Sequence, residues 1–292
     1  MKPTVCPPAE IMTNPDLGSW LNRKVALLRG KTELPTIEVN AIASHVLDKP
    51  IEWIISHPEE SLDRNQLEKL EESVDRLIAG EPLAYITGKR SFFGLDFFVD
   101  NRVLIPRPET ELLVELAIVW LEGHPAMNRV VDVGTGSGVI AIVIADHFRT
   151  LHITAVDISP DALEVARSNA ALHQVSDRIK FIRADLLEGI DKKFDLILAN
   201  LPYIPSKMLG NLEGLKFEPR IALDGGINGL VQITDIIDNC SKLVTSKGCI
   251  ILEIQYNQGD AVREIAAKQF PQAIITIHND LASLPRVVKI QL

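Results

Sequence analysis

The residues best suited to chemistry follow an apolar run of this 292-residue chain, in the segment 194–203, FDLILANLPY. An amide or exocyclic amine nitrogen is a weak nucleophile because its lone pair is delocalised. It must be aimed at an electrophilic methyl group and polarised by acceptors on its N–H groups. Asn200 Oδ1 and the Leu201 carbonyl oxygen can be those acceptors, Pro202 stiffens the turn, and Tyr203 can stack on a planar group. The segment predicts methyl transfer to such a nitrogen, and a plain β-turn is the alternative.

A second candidate site is a glycine-rich loop between a predicted strand and a predicted helix. The loop comprises Gly134, Thr135, Gly136, Ser137 and Gly138. Glycines let a ligand approach the backbone, and the helix N-terminus behind them offers free N–H groups. The spacing GTGSG lacks the pyrophosphate fingerprint GxGxxG, which favours an adenosine ligand without a diphosphate, such as S-adenosylmethionine. Taken alone, the loop is also consistent with tight packing of a turn.

Acidic residues follow the next two predicted strands. Asp157 lies about 20 residues after the glycine loop, where a carboxylate is well placed to accept from ribose hydroxyls. An NAD-type site or a helix-capping role is the alternative there. Asp185 could accept from an adenine amino group while Leu186 packs on the ring, although Asp185 alone is equally typical of a helix N-cap. With Asn200 at the same predicted sheet edge, these residues complete the predicted cofactor-binding set.

A sheet must hold these residues together, and the C-terminal two thirds of the chain supply apolar runs for one. The predicted strands are residues 129–133, 153–157, 179–183, 194–199, 249–254, 273–277 and 287–291. Helical stretches separate most of them, which predicts an α/β domain whose mostly parallel sheet is covered on both faces. Only residues 278–286 separate the last two strands. That is too short for a right-handed crossover, so the last strand should run antiparallel.

The first part of the chain has a helical pattern instead. Apolar residues recur at the spacing of one buried helix face, namely Leu67, Leu70, Val74, Leu77 and Ile78. Pro35 is placed to open an earlier helix. Aromatic and β-branched residues around Gly94 are typical of a β-hairpin. We therefore expect a helical domain over 1–82, a hairpin linker over 83–106 and the domain that carries the predicted methyl-transfer site over 107–292.

Composition restricts the partners and the compartment. With 30 Lys+Arg against 39 Asp+Glu, the net charge is −9, which argues against a protein that coats nucleic acid. No apolar run reaches the roughly 18 residues of a membrane span, and the start MKPTVCPPAE lacks the features of a secretory signal. We therefore expect a cytoplasmic protein. Cys6, Cys240 and Cys249 lack metal-ligand spacing and the histidines are scattered, so no metal site is predicted.

The whole chain resembles the protein-(glutamine-N5) methyltransferases that modify peptide chain release factors. The segments that carry the resemblance are PLAYITG at 82–88, FGLDF at 93–97, VLIPRPETE at 103–111 and EPRIALDGG at 218–226. They are similar to this family's linker, its active-site loop and its segment after the catalytic turn. The resemblance extends from about residue 20 to the C-terminus, and RPETE is its most specific part.

The resemblance implies a Rossmann-like class I methyltransferase fold, preceded by a small helical domain and a β-hairpin linker, with S-adenosylmethionine as methyl donor. It implies that residues 134–138 hold the methionine end of the cofactor, that Asp157 binds the ribose, and that Asp185 and Leu186 lie near the adenine. Residues 200–203 would receive the glutamine of the release factors' Gly-Gly-Gln motif, with Asn200 and Tyr203 as catalytic residues. The helical domain would help to grip the protein substrate. Residues 107–111 would lie beside the active site, without an assigned role.

One position departs from the family pattern, which usually reads Asn-Pro-Pro-Tyr where this chain has Leu201. The backbone carbonyl does not depend on the side chain, so the pair of acceptors should survive. Asn-Leu-Pro-Tyr also resembles the rRNA adenine N6-dimethyltransferases, and RNA adenine methylation is therefore the alternative function. The acidic composition, the preceding helical domain and RPETE favour the glutamine substrate. A non-catalytic cofactor-binding scaffold is a third reading, against which Asn200, Pro202 and Tyr203 argue.

Overall fold

The computed structural model describes residues 15–210 and 212–292, and the chain divides into two compact units, Met1–Thr87 and Gly88–Leu292. The division falls slightly later than the predicted boundary at residue 82. The reason is a short helix over Leu83–Thr87, whose Ile86 packs in the apolar core of the first unit. Cys6 and the N-terminal segment discussed above lie outside the described residues.

The first unit is helical. Its helices are α1 (Leu17–Leu28), α2 (Pro35–Leu47), α3 (Ile51–Ser56), α4 (Arg64–Ile78) and α5 (Leu83–Thr87). Pro35 is in the first turn of α2, as predicted. The predicted buried face of α4 is confirmed at Leu70, Val74 and Leu77, but Ile78 is 40% exposed. Consecutive helical residues point about 100° apart, so Leu77 and Ile78 do not share the narrow buried face.

The second unit opens with the predicted β-hairpin, formed by β1 (Lys89–Phe92) and β2 (Leu95–Phe98). Its turn contains Phe93 and Gly94, both with positive φ. Phe92 and Phe97 are buried in the same apolar cluster as residues of the helices that follow. The hairpin therefore packs as part of the second unit.

A seven-stranded sheet forms the centre of the second unit, in the order β5-β4-β3-β6-β7-β9-β8. Its strands are β3 (Arg129–Val133), β4 (His152–Asp157), β5 (Ile179–Arg183), β6 (Phe194–Ala199), β7 (Val244–Glu253), β8 (Ile274–Asn279) and β9 (Pro285–Gln291). Each predicted strand is present, and β7 begins five residues before its predicted start at 249. The last strand, β9, is antiparallel to both neighbours, as predicted, and the other adjacent pairs are parallel.

Helices accompany the sheet on both faces. They are α6 (Thr110–Gly123), α7 (Val139–His147), α8 (Pro160–Leu172), α9 (Ser206–Leu209), α10 (Val231–Leu243) and α11 (Gly259–Gln269). Successive strand residues such as Leu196 and Ile197 belong to different buried clusters, as expected of strands covered on both sides. The strand order reverses direction between β3 and β6, which is the place where open α/β sheets bind ligands. Within the described residues, none of the helices has the length and apolarity needed to cross a bilayer.

Candidate active site at the carboxyl ends of the strands

A cavity of about 240 Å³ lies at the carboxyl ends of the strands, beside the switch in strand order. Among the predicted site residues, those that line it are Gly134, Thr135, Ser137, Asp157, Asp185, Leu186, Asn200 and Leu201. Four other predicted site residues do not line the cavity. Gly136 and Gly138 belong to the glycine loop, and Pro202 and Tyr203 belong to the turn that follows β6. The fold thus brings residues from four separate chain segments to one place.

The backbone conformation explains the alternating glycines of the loop. Gly134, Gly136 and Gly138 have φ values of 71°, 55° and 85°, in the left-handed region that favours glycine. A Cβ atom on Gly138 would also lie 2.9 Å from Ile142 Cδ1 and 3.1 Å from Ala166 Cβ. Glycine at these positions therefore permits the backbone conformation of the loop and, at Gly138, its close packing against Ile142 and Ala166.

Asp157 faces the cavity and also fixes the loop. Its Oδ2 accepts from the Gly136 N–H at 2.8 Å, and its Oδ1 accepts from the Ser159 N–H at 2.9 Å. Burial raises the pKa of Asp157, and these backbone donors oppose the rise. Ser159, not Asp157, is the N-cap of α8, which argues against the helix-capping alternative. Each carboxylate oxygen keeps a further lone pair, so Asp157 can also accept from ligand hydroxyls.

Asp132, which sequence reasoning missed, supports the loop from within β3. It is fully buried, and its Oδ2 accepts from Thr135 Oγ1 at 2.6 Å and from the Ala141 N–H at 3.3 Å. Its Oδ1 has no hydrogen-bond partner among the described residues. Burial raises the pKa of Asp132 to about 7. The sequence did contain a signal for this residue, because Asp132 is an acid inside the otherwise apolar run VVDV at 130–133.

Asp185 and Leu186 form the part of the cavity wall that follows β5. Asp185 is exposed, and Leu186 has a φ of 48°. Turns, and not a helix, follow them, so the N-cap alternative for Asp185 is wrong.

The acceptor turn, residues 200–203, is held by a side chain from the start of α6. Asn200 Nδ2 donates to Thr110 Oγ1 at 3.0 Å, and Thr110 is 3% exposed. The oxygen of the Asn200 amide is then the side-chain atom left for a ligand. The Tyr203 hydroxyl donates to Glu253 Oε1 at 3.4 Å, and burial and the Glu253 carboxylate raise the pKa of Tyr203. Tyr203 is thus a neutral donor at neutral pH.

A second segment braces the same turn from its other side. A Cβ atom on Gly225 would lie 2.7 Å from the Pro202 carbonyl oxygen, and one on Gly229 would overlap the Tyr203 carbonyl oxygen. Gln258 Nε2 donates to the carbonyl oxygens of Tyr203, at 3.2 Å, and Gly229, at 3.0 Å. Sequence reasoning missed Gly229 and Gln258, because only the fold brings these positions to residue 203.

Residues 107–111, which had no role assigned from the sequence, make hydrogen bonds and an ion pair around the cavity. Arg107 forms an ion pair with the buried carboxylate of Glu218, whose other oxygen accepts from the Ile105 N–H at 3.1 Å. Glu111 Oε1 accepts from the Phe93 N–H of the hairpin at 2.8 Å. With Thr110 bonded to Asn200, this segment connects the hairpin, the acceptor turn and the segment around residue 218.

The chain matches two family models, the PrmC N-terminal domain over residues 19–88 and the Methyltransferase small domain over residues 110–210. It is 36% identical over 286 residues to the bifunctional methyltransferase of Rickettsia bellii, covering 88% of this chain and 51% of that protein. The chain thus spans about half the length of this relative.

A relative of similar length is the release factor glutamine methyltransferase of Koribacter versatilis. It is 35% identical over 266 residues, which cover 88% of this chain and 91% of that protein. Among solved structures, the hMettl16 catalytic domain in complex with the MAT2A 3'UTR hairpin 6 matches with a TM-score of 0.54 at 16% identity. That match covers 78% of this chain and 82% of the solved one, and it shows a common methyltransferase fold.

Proposed function

Because this chain belongs to the release factor glutamine methyltransferase family, we propose that it methylates the side-chain nitrogen of a glutamine in peptide chain release factors. The proposed target is N5 of the glutamine in the Gly-Gly-Gln motif, with S-adenosylmethionine as donor. One observation carries the proposal. The Asn200 amide is held at the cavity wall by a bond from its nitrogen, which leaves its oxygen to accept from a substrate amide.

The residues around the cavity fit S-adenosylmethionine. Gly134, Thr135 and Ser137 of the glycine loop line the cavity, and Asp157 retains acceptor capacity toward ribose hydroxyls. Asp185 would accept from the adenine amino group and Leu186 would pack on the ring. When bound, the cofactor supplies a methyl group that its sulfonium makes electrophilic.

The acceptor turn would orient the substrate nitrogen for direct transfer. Asn200 Oδ1 and the Leu201 carbonyl oxygen would accept from the two N–H groups of the glutamine amide and point the nitrogen lone pair at the methyl group. Pro202 limits motion of the turn, and the Tyr203 ring would flank the amide. The nitrogen can release its proton to water after transfer, so the turn need not contain a strong base.

The proposal extends to the partner and the compartment. The match of residues 19–88 to the PrmC N-terminal domain supports a role for the helical unit in gripping the release factor. We also propose that nucleic acid is not the substrate and that the protein works in the cytoplasm, where release factors act on ribosomes. The acidic net charge of −9 supports the first of these statements.

The test is methyl transfer from labelled S-adenosylmethionine to a purified bacterial release factor. The Gly-Gly-Gln form, its Gln→Ala variant and unmodified small-subunit rRNA are compared in parallel. We expect label on the Gly-Gly-Gln form alone. Label on rRNA would favour the adenine alternative, and cofactor binding without transfer to any of these would favour a scaffold.

A further inference from the structure

Asn169 of α8 carries a fully buried amide that the proposed reaction does not use. Its side chain makes three hydrogen bonds to backbone groups of two segments. Oδ1 accepts from the Phe98 N–H at 2.8 Å, while Nδ2 donates to the Phe98 carbonyl oxygen at 3.0 Å and to the Ser137 carbonyl oxygen at 2.9 Å. Phe98 ends β2 of the hairpin, and Ser137 belongs to the glycine loop. One side chain thus joins the hairpin to the loop.

On the hairpin side, the amide of Asn169 takes the place of a strand. The hairpin is a sheet of two strands, and Asn169 bonds both the N–H and the carbonyl oxygen of Phe98. These are the two groups that a neighbouring antiparallel strand would bond at one residue. A side-chain amide can do this because it carries donors and an acceptor, as a peptide group does. Asn169 therefore fixes the end of the hairpin to α8.

On the loop side, Asn169 fixes one end of the peptide group between Ser137 and Gly138. The Ser137 carbonyl oxygen accepts from Asn169. At the other end, the Gly138 N–H donates to the Thr135 carbonyl oxygen at 2.8 Å. Ala166 lies about one helical turn before Asn169 on the same face of α8, and its Cβ is 3.1 Å from the position that a Cβ atom on Gly138 would occupy. Because Ser137 lines the cavity, the orientation of this part of the cavity wall depends on Asn169.

The chemistry of the three bonds separates a hydrogen-bonding role for Asn169 from a space-filling one. Aspartate has the same shape, but when ionised it can only accept, so it would place an oxygen against the two carbonyl oxygens that Nδ2 now meets. Alanine removes all three bonds but leaves room in which water can replace some of them. A hydrogen-bonding role therefore makes aspartate the more harmful substitution. A space-filling role makes alanine the more harmful one, because aspartate keeps the volume.

We propose that Asn169 is a positioning residue of the cofactor site, which holds the glycine loop to the hairpin in the conformation that binds S-adenosylmethionine. The inference rests on the proposed function in one respect, since it takes residues 134–138 as the loop that holds the methionine end of the cofactor. It makes cofactor affinity depend on a residue behind the cavity wall. The acceptor turn is bonded to Thr110 and Gln258 instead, so kcat at saturating cofactor should change little.

The first experiment measures Kd for S-adenosylmethionine by titration calorimetry, and kcat and KM for the release factor at saturating cofactor. We expect Kd to rise about tenfold in Asn169→Ala, the effect of one buried hydrogen bond. It should rise about fiftyfold in Asn169→Asp, in which acceptors face acceptors. In both variants kcat and KM for the release factor should stay within about threefold of wild type, because the acceptor turn is intact.

His173→Ala is the matched control for these variants. His173 caps the C-terminus of α8, and its Nε2 donates to the Asp96 carbonyl oxygen of β2 at 2.9 Å. The variant thus removes another bond between α8 and the hairpin, one that does not reach the glycine loop. Its Kd for S-adenosylmethionine should stay within about twofold of wild type.

The second experiment measures amide hydrogen exchange in the ligand-free protein, and it remains decisive if Asn169→Asp does not fold. In Asn169→Ala the N–H of Phe98 loses its acceptor, and the peptide group before Gly138 loses its support. Exchange at these two N–H groups should therefore increase at least about tenfold more than exchange in β6, which reports global stability. An equal increase at all three places would mean that Asn169 acts on global stability only, and would overturn the inference.

The outcomes separate this inference from the proposed function. A wild-type protein that does not bind S-adenosylmethionine would overturn both. A wild-type protein that binds it without labelling the Gly-Gly-Gln form would overturn the proposed function and leave this inference standing. Unchanged Kd in both Asn169 variants, or tighter binding by Asn169→Asp than by Asn169→Ala, would overturn the inference alone.

Discussion

The two sides of the cavity are fixed by different kinds of contact. The glycine loop, residues 134–138, is held mostly through backbone groups and by residues of the adjoining strands. The N–H groups of Gly134 and Thr135 both donate to the Val156 carbonyl oxygen, at 2.8 and 2.9 Å, and Asp157 accepts from Gly136. The shape of this side of the cavity is therefore set mainly by backbone atoms.

The acceptor turn, residues 200–203, depends instead on groups that are far from it in sequence. Thr110 binds Asn200 from 90 residues away, and Gln258 binds Tyr203 from 55 residues away. Substitutions on the two sides should therefore affect different properties of the enzyme. Damage to the loop should weaken cofactor binding, whereas damage to the supports of the turn should slow transfer and leave cofactor affinity intact.

The largest expected effect comes from Asn200→Ala, which removes the amide oxygen that we propose as the side-chain acceptor of the turn. Turnover should fall by about 10²–10³, the cost of losing one group that stabilises developing charge. Kd for S-adenosylmethionine should change less than about threefold, which single-turnover assays and calorimetry would establish. Asn279→Ala, at an exposed position at the end of β8, is the control. A tenfold loss of cofactor affinity in Asn200→Ala would contradict the division between the two sides.

Gly229→Ala tests the distant support of the same turn. The added Cβ atom would overlap the Tyr203 carbonyl oxygen, so the turn must move. We expect turnover to fall by about 10², because displacement of a reacting group by about 1 Å has effects of this size. Gly189→Ala is the matched control, since Gly189 has a φ of 72° against 77° for Gly229 and its Cβ atom would have no neighbour within 4 Å. Wild-type turnover in Gly229→Ala would show that the close approach of Gly229 to Tyr203 does not hold the turn.

Asp157→Asn tests the opposite side. Replacement of the carboxylate should weaken S-adenosylmethionine binding about tenfold to thirtyfold, the size expected for charge-assisted hydrogen bonds to hydroxyls. The kcat at saturating cofactor should change little, because the acceptor turn is intact. Titration calorimetry and saturation kinetics separate the two effects. A variant with unchanged Kd and reduced kcat would reverse the assignment of this side.

The same contrast explains how far the sequence could predict the site. The glycine loop and Asp157 could be predicted because a strand, three spaced glycines and a following acid lie within a short stretch. Thr110, Gly229, Gln258 and Glu253 could not, because their roles depend on strand order and on register between β6 and β7. RPETE is the most specific segment of the resemblance, and the hydrogen bond between Thr110 and Asn200 is visible only in the folded structure.

A buried acid lies on each side of the cavity: Asp132 beneath the glycine loop and Glu253 beside Tyr203. Burial of Asp132 predicts that the stability of the protein depends on pH. The unfolded pKa of Asp is about 3.9, whereas that of Asp132 in the fold is about 7. Between these values the folded chain binds the proton more tightly, so the free energy of unfolding decreases as pH rises and levels off above about 7.

Asp132→Asn should therefore flatten this slope. Between pH 5 and 7 the difference should be about 2 kcal/mol in the free energy of unfolding, measured by urea denaturation. Glu253 contributes a slope of the same sign, so Asp132→Asn combined with Glu253→Gln should give the flattest profile. An unaltered slope in Asp132→Asn would show that Asp132 is ionised throughout this range.

Leu201→Pro should have the smallest effect. Leu201 lies where the acceptor turn meets the glycine loop. Leu201 is 5% exposed, and its Cδ2 lies 3.0 Å from the position that a Cβ atom on Gly134 would occupy. Proline keeps the carbonyl oxygen but loses part of this apolar contact. Turnover should fall less than about threefold, and the free energy of unfolding should fall by about 1 kcal/mol.

Leu201→Ala is the companion variant, because it also keeps the carbonyl but removes more of the buried side chain. It should cost about 2–3 kcal/mol of stability and leave turnover close to that of Leu201→Pro. A hundredfold loss of turnover in Leu201→Pro, with cofactor affinity unchanged, would mean that the leucine side chain shapes this turn. The carbonyl would then be insufficient, and the two sides of the cavity would be coupled through the contact between Leu201 and Gly134.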